Sequence, residues 1–216
     1  MGARLDAVLA RINCRTLADI GCDHGKVAVG ALLEGRAERC IATDISEKCL
    51  QKARELARTK GVDKIEFRVG DGLSVLAPFE ADCVVIAGMG GREIASVLQK
   101  APPLKAKFIL VPHDDAPLLR RFLAENGYGV ESDRIVGEGR RFYPVIVCEK
   151  TGVQRSLSLL ESLYGTHLSD ADCAAYMRLK ESSLARICAG IKQGDERGEK
   201  LREELRATSE ALKERK

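Results

Sequence analysis

Short apolar runs alternate with amphipathic stretches from Leu17 to Glu149, and that alternation predicts a parallel sheet covered by helices. The runs that read as strands are TLADIG, RCIATDI, KIEFRVG, ADCVVIAG, AKFILVP, YGVESDRIV and YPVIVCEK. Between them lie VAVGALLEG, SEKCLQKARELARTKG, GGREIASVLQKA and DAPLLRRFLAENG, each with apolar residues near helical spacing and most ending at Gly. Only GEGRR separates the last two strands, too short for a crossover helix. The expected fold is therefore α/β, a Rossmann-like seven-stranded sheet, mostly parallel, closed by an antiparallel edge hairpin.

The pattern changes at Thr151. SLSLLESLYGTHL and DADCAAYMRLKESSLARICAGIKQ read as helices, and DERGEKLREELRATSEALKERK as a charged one. From Asp195 to Lys216 seven acidic residues balance seven basic ones, and Leu201, Leu205 and Leu212 form a thin apolar stripe. An antiparallel hairpin turning between Gly190 and Gly198 would bury that stripe on the preceding helix. Two domains are expected: residues 1–150 for the sheet and 151–216 for a helical appendage.

Composition narrows the setting. The chain has 216 residues, of which 45% are hydrophobic and 31% charged, as in a globular protein of one main domain and a smaller addition. No apolar run approaches the roughly 20 residues of a membrane helix, and MGARLDAVLARINCR is too short and too charged for a secretory leader. Asp6 stands where a myristoylation signal wants Ser or Thr. A cytoplasmic protein without a membrane partner is expected. The eight cysteines include no Cys-x-x-Cys pair and sit mostly in apolar runs, so they read as reduced core thiols and no metal is expected. The net charge of +3 permits an anionic partner without demanding one.

The candidate chemistry begins at ADIGCDHGKVAVG, a turn between the first strand and the first predicted helix. A dinucleotide turn wants Gly-x-Gly-x-x-Gly so that a pyrophosphate can approach the helix. Here the order is Asp19, Gly21, Asp23, Gly25, with a carboxylate where the second glycine belongs. That carboxylate repels a phosphate and suits S-adenosyl-L-methionine, which carries a sulfonium and an ammonium. Asp44, in ATDIS, ends the second strand about 20 residues further on, where an acidic side chain takes ribose hydroxyls. Asp71, in VGDGL, ends the third and could accept from the adenine amine. Asp19, Gly21, Asp23, Asp44, Ile45, Asp71 and Gly72 are thus cofactor candidates, joined by Gly88 and Met89 of AGMGG, where residues without bulk would let a substrate reach the methyl. Simpler roles stay open: Asp23 and Asp44 as helix caps, Asp71 as a turn former and AGMGG as a tight turn.

These motifs together, with ATDISEKCLQKA, KIEFRVGDGL, the Pro after the fifth strand, LLRRFLAENGY and the closing YPVIVCEK, resemble the bacterial tRNA (adenine-22, N1)-methyltransferase family, often called TrmK. The resemblance covers almost the whole chain, and Asp23–His24 with AGMGG is its most specific part. It implies methyl transfer from S-adenosyl-L-methionine to N1 of an adenine in tRNA, with S-adenosyl-L-homocysteine as product, and a tail of coiled-coil type. Two departures stand out. The family reads Gln-Pro-Asn where this chain has Val111, Pro112 and His113, and Ala-Tyr where it has Gly25 and Lys26.

Adenine N1 already carries a lone pair, so such an enzyme mainly positions its reactants. A group accepting from the N6 amine would help, and Asp23, His24 and His113 are the catalytic candidates. His24 could equally be a polar helix-start residue, and His113 a surface turn residue. Arg92, Lys105, Lys107, Arg120, Arg121, Arg140 and Arg141 could grip phosphates if they cluster. The partner implied is tRNA, bound by a monomer or weak dimer. A methyltransferase for another RNA or a small molecule, and a cofactor-binding interaction module without catalysis, are the alternatives.

Overall fold

The apolar runs become strands because their side chains are covered on both faces of one sheet. In β4 (Cys83–Ala87) four successive residues are buried, and β5 (Lys107–Val111) repeats the pattern. A computed structural model describes residues 2–191 and 195–214. The seven strands stand in the order β3-β2-β1-β4-β5-β7-β6, adding β1 (Cys14–Ile20), β2 (Ala37–Asp44), β3 (Ile65–Val69), β6 (Tyr128–Glu138) and β7 (Arg141–Lys150). The first five are parallel, and β7 enters antiparallel to both β5 and β6. This is the mostly parallel sheet with a reversed edge hairpin that the sequence pattern predicts.

Two apolar layers sandwich the sheet. One holds Ile20, Ile86, Ile94, Leu110 and Leu119 beneath α4 (Gly91–Gln99) and α5 (Ala116–Glu125). The other holds Leu9, Ile12, Leu17, Ala28, Leu50 and Val85, and carries α1 (Ala3–Leu9), α2 (Lys26–Leu33) and α3 (Glu47–Thr59). Helix α1 stands outside the predicted elements. Leu5, Val8, Leu9 and Ile12 nevertheless carry the i, i+3, i+4, i+7 spacing of a helix with one buried face.

The hairpin outruns its neighbour. β5 pairs with β7 only from Lys107 to Leu110, whereas β6 and β7 stay paired out to Glu138 and Arg141. Residues 141–145 therefore project by about 16 Å at roughly 3.3 Å per residue. Alternation sends Val136 and Tyr143 to the face covered by α1, and Ile135 and Phe142 to the opposite face, covered by the tail.

Among the described residues after Lys150 the regular elements are helices: α6 (Leu159–Tyr164), α7 (Ala171–Ala189) and α8 (Glu196–Lys213). The predicted helix over 156–168 is cut to six residues, starting at the Ser158–Glu161 capping box and ending at Gly165, φ 83°. A Cβ on Gly165 would stand 2.5 Å from the Asp133 carboxylate carbon, so the chain turns left-handed there to pass it. Helices α7 and α8 run antiparallel, with Ser209 bonded to Glu181 at one end and Gly198 against Ile191 at the other. Residues 192–194 of the predicted turn lie outside the described residues. The leucine stripe of α8 is only half-buried; Gly198, Thr208 and Ala211 make the close approach instead.

Arg120 corrects another expectation. It is 3% exposed and cannot reach a phosphate. Its Nε and Nη2 donate to Asp133 at 2.7 and 3.0 Å, while Nη1 donates to the carbonyls of Ser162 and Leu163. A bidentate pair so enclosed ties α5, β6 and α6 together. No helix among the described residues is long and apolar enough to cross a membrane.

Candidate cofactor and substrate site

At the carboxyl ends of β1, β2 and β3 the chain makes three turns around one cavity of about 630 Å³. The first follows Ile20. Asp23 takes φ 49° and Gly25 φ 69°, and a Cβ on Gly25 would lie 2.8 Å from that of Ala53. Helix α3 thus leaves room only for glycine, and α2 begins directly after it. The turn is held by Cys22 N–H donating to the Thr43 carbonyl at 2.8 Å.

Asp44 joins the first turn to the second. One carboxylate oxygen accepts from Asp23 N–H at 3.1 Å and the other from Ser46 N–H at 2.9 Å. Capping of α3 falls to Ser46, which accepts from Cys49 N–H, and Asp23 lies before the Gly25 cap of α2. Neither aspartate is therefore a helix cap. Ile45 beside them is 75% exposed, an apolar side chain left open at the cavity. Asp71 follows β3 and precedes a short 3₁₀ turn, Gly72–Val75, without capping it through its side chain. Its carboxylate meets Lys100 Nζ at 3.4 Å.

Asp19 lies deeper, 3% exposed, accepting from Ala28 N–H at 3.1 Å. Burial pushes its pKa up to about 7, against the help of that hydrogen bond and with a further push from Asp44. The Cys22 thiol is raised as well, by burial and then by Asp19, Asp44 and Asp23, and stays protonated at neutral pH. Opposite stands the β4 turn. Gly88 has φ 90°, and a Cβ placed on it would meet nothing within 4 Å, while Met89 Cε presses on Gly21. The wall there is smooth and open.

All nine cofactor candidates line this cavity, as do Asp23 and His24 among the catalytic ones. His24 Nε2 lies 3.7 Å from Asp23 Oδ1 and 3.3 Å from Lys52 Nζ. His113 is not among the lining residues. It follows β5, its N–H donates to the Met89 carbonyl at 3.0 Å, and its ring meets Asp114 at 3.2 Å. Sequence reasoning missed the far wall, where Gly2, Arg4, Leu5 and Val8 of the α1 segment and Glu138 of the hairpin tip complete the cavity. The spacing of α1 offered a signal for the first four; Glu138 offered none, because only the projecting hairpin brings it there. Glu93, Ser96 and Lys100 also line it unforeseen, and so does Lys26, the departure noted in the first turn.

The lining carries six carboxylates, Asp19, Asp23, Asp44, Asp71, Glu93 and Glu138, against Arg4, Lys26 and Lys100. Such a cavity attracts a cationic ligand and repels a pyrophosphate. Open α/β sheets bind their ligands at this edge.

In sequence and fold the chain is similar to known proteins. Residues 1–146 match the methyltransferase domain family. The tRNA (adenine(22)-N(1))-methyltransferase of Bacillus subtilis is 34% identical over 154 residues, 69% of this chain and 65% of that protein, so the aligned stretch falls just short of two thirds of the relative. The crystal structure of the Bacillus subtilis m1A22 tRNA methyltransferase TrmK superimposes with a TM-score of 0.80 at 29% identity, covering 99% of this chain and 96% of the other. Streptococcus pneumoniae Sp1610, solved in complex with S-adenosyl-L-methionine, gives 0.84 at 26% identity, over 97% of this chain and 98% of that one. By fold and matched sequence alike, the chain belongs to the methyltransferase domain family, alongside the bacterial tRNA (adenine(22)-N(1))-methyltransferases.

Proposed function

We propose that this chain transfers a methyl group from S-adenosyl-L-methionine to N1 of an adenine in tRNA, adenine 22 being the expected position, and releases S-adenosyl-L-homocysteine. The observation that carries the reading is the cavity itself, with carboxylates at three successive strand ends and an open glycine wall at the fourth. The same chemistry is named for the relatives just described.

The residues fit the cofactor. Each Asp44 oxygen already takes one backbone N–H and keeps capacity for a ribose hydroxyl. Ile45 offers an apolar face to a purine, and Asp71 an acceptor for its amine. Asp19 and Asp23 supply negative potential for an ammonium and a sulfonium. When bound, the cofactor contributes an electrophilic methyl, and adenine N1 contributes the lone pair. What remains for the protein is alignment, exclusion of water and acceptance from the N6 amine, for which Asp23 and His24 stand together on the cavity wall. His113 is tied to the β4 turn by its N–H on the Met89 carbonyl and lies outside the cavity lining, so this reading gives it no contact with the cofactor. In a duplex, N1 lies on the pairing edge, so the base must leave its stack, at a cost of a few kcal/mol. We further infer a cytoplasmic enzyme acting as a monomer or weak dimer.

A second reading, methylation of another RNA or of a small molecule, is favoured by Val111 at the end of β5 and His113 in the turn after it. Incubation of unmodified tRNA with the protein and labelled cofactor, followed by nucleoside separation that avoids rearrangement of the N1 product, separates the readings. Label in N1-methyladenosine is expected. Label only in N6-methyladenosine or a pyrimidine would overturn the N1 assignment, and no label in tRNA would favour the second reading or a module without catalysis.

A further inference from the structure

The amino ends of the strands, at the other end of the sheet from the cofactor turns, border a second cavity of about 480 Å³. Phe79 is the one apolar residue described in its lining. Residues Ala77 to Glu80 make a turn closed by Glu80 N–H on the Ala77 carbonyl at 3.2 Å. Pro78 fixes the second position, and Phe79 holds the third at φ 60°, where such a turn ordinarily takes glycine. The ring is 70% exposed and belongs to none of the three apolar clusters. One residue thus combines a strained backbone with an aromatic side chain left in water, and no core contact offsets either.

The turn is nevertheless firmly held. Arg68 Nη1 and Nη2 donate to the Glu80 carboxylate at 2.7 and 2.6 Å, and Glu80 accepts in turn from Ala77 N–H at 2.8 Å. Phe79 N–H donates to the Pro103 carbonyl at 2.9 Å. The charges around the ring divide into engaged and free. Glu80 is engaged by Arg68, and Asp82 accepts from Thr16 N–H at 2.9 Å with Arg15 at 3.8 Å. Arg39 gives its Nε to Thr16 Oγ1 at 2.8 Å, but its two terminal nitrogens and the exposed Lys64 ammonium form no ion pair among the described residues. Glu38 is the one unpaired carboxylate of the lining set against them.

We propose that this second cavity is an RNA contact remote from the reacting base, in which an unpaired base stacks on Phe79 and its flanking phosphates lie against Arg39 and Lys64; this rests on the tRNA reading above. A single aromatic ring set among cations is the pattern of single-strand recognition, because every base offers a π-face and every phosphate a charge. A protein partner would need a wider apolar surface, and Phe79 has no apolar neighbour described in the lining. The cofactor cavity, with its six carboxylates, repels an RNA backbone, so the phosphates must be held elsewhere. Strand β1, from Cys14 to Ile20, separates the two cavities by about 20 Å at roughly 3.3 Å per residue. An RNA touching both is therefore gripped several nucleotides away from the adenine it offers to the methyl.

The test measures binding of unmodified tRNA to the full chain at fixed salt, with the thermal unfolding midpoint and S-adenosylhomocysteine affinity beside it. Phe79→Gly should weaken tRNA by roughly 5- to 100-fold, the range of one lost base–aromatic stack, with cofactor affinity unchanged. The same variant should keep or raise the midpoint, because glycine suits the turn. Phe79→Trp, which keeps a stacking face on the same backbone, should bind tRNA as well as the unsubstituted protein. Arg39→Met and Lys64→Met should each lower the slope of log affinity against log salt by about one. Unchanged tRNA affinity in Phe79→Gly would overturn the contact, as would a Trp variant that binds no better than the Gly variant. Adenosine 5′-monophosphate binding as tightly as tRNA, and lost in Phe79→Gly, would assign the site to a free nucleotide instead. Failure of the unsubstituted protein to bind tRNA at all would strike the tRNA reading itself, and this contact with it.

Discussion

The sheet and the helical tail are held in different ways. Both faces of the central strands are buried by apolar side chains, and Val84, Val85 and Ile86 are inaccessible to solvent in succession. The tail has a small cluster, Tyr164, Cys173, Met177 and Ala211, completed by Ile135, which belongs to β6. Its polar ties are just as borrowed: Asp172 accepts from Gly137 N–H at 2.9 Å, and the α6 carbonyls rest on Arg120. Sequence composition changes at Thr151, yet packing runs straight across that point. A boundary in composition is a boundary in chain chemistry, and the fold need not come apart there.

The seam offers the largest effect. Arg120→Ala would leave Asp133 buried without its partner, and removing one member of such a pair costs about 3–5 kcal/mol. Urea unfolding should show that loss, with proteolysis entering the tail first; an unfolding midpoint that does not move would mean that the tail is held by its own cluster. Joint replacement, Arg120→Met with Asp133→Leu, should recover much of the stability, since apolar pairs of similar volume are often neutral there.

On the sheet side the expected effects fall on binding. Asp44→Ala should cost about 1.5–3 kcal/mol of cofactor affinity, the range for hydrogen bonds to a charged group, and would also release the Asp23 and Ser46 amides. A folded variant with unchanged affinity would remove Asp44 from the ribose site.

Asp19 gives the smallest and most specific effect. Because its pKa is raised to about 7, its contribution to the fold is fully present below the ordinary carboxylate range, where the group is neutral, and is lost as pH rises through 7. Cofactor binding has the opposite sign, since a cationic ligand wants the ionised form. Affinity should fall as pH drops through 7, by about tenfold between pH 8 and pH 6, or about 1.4 kcal/mol. Asp19→Asn should flatten that dependence; a slope that survives would take the dependence away from Asp19.

The strands were legible in the sequence because burial on both faces forces continuous apolar runs, and the three acidic turns because ligand-facing residues fall at strand ends. Two things were not. Arg120 reads as a surface cation until Asp133, thirteen positions away, and two carbonyls from beyond residue 160 surround it. Glu138 reads as one more polar residue in a tight turn, and only the register of β6 on β7 carries it past β5 to the cavity. Local pattern reports local environment. Both residues owe theirs to elements far along the chain.

The projecting hairpin behaves as a cantilever. Past Leu110 it has no rung from β5 to stiffen it, and its rigidity comes from two clamps, α1 on one face and the tail helices on the other. Glu138 sits at the free end, one residue from the Gly137 amide held by Asp172. A variant trimmed at residue 150 therefore loses one clamp and lets the beam swing at its tip. Weaker methylation together with weaker cofactor affinity in such a variant would register a slackened cavity wall, whereas weaker methylation at unchanged affinity would place the loss in the tail itself.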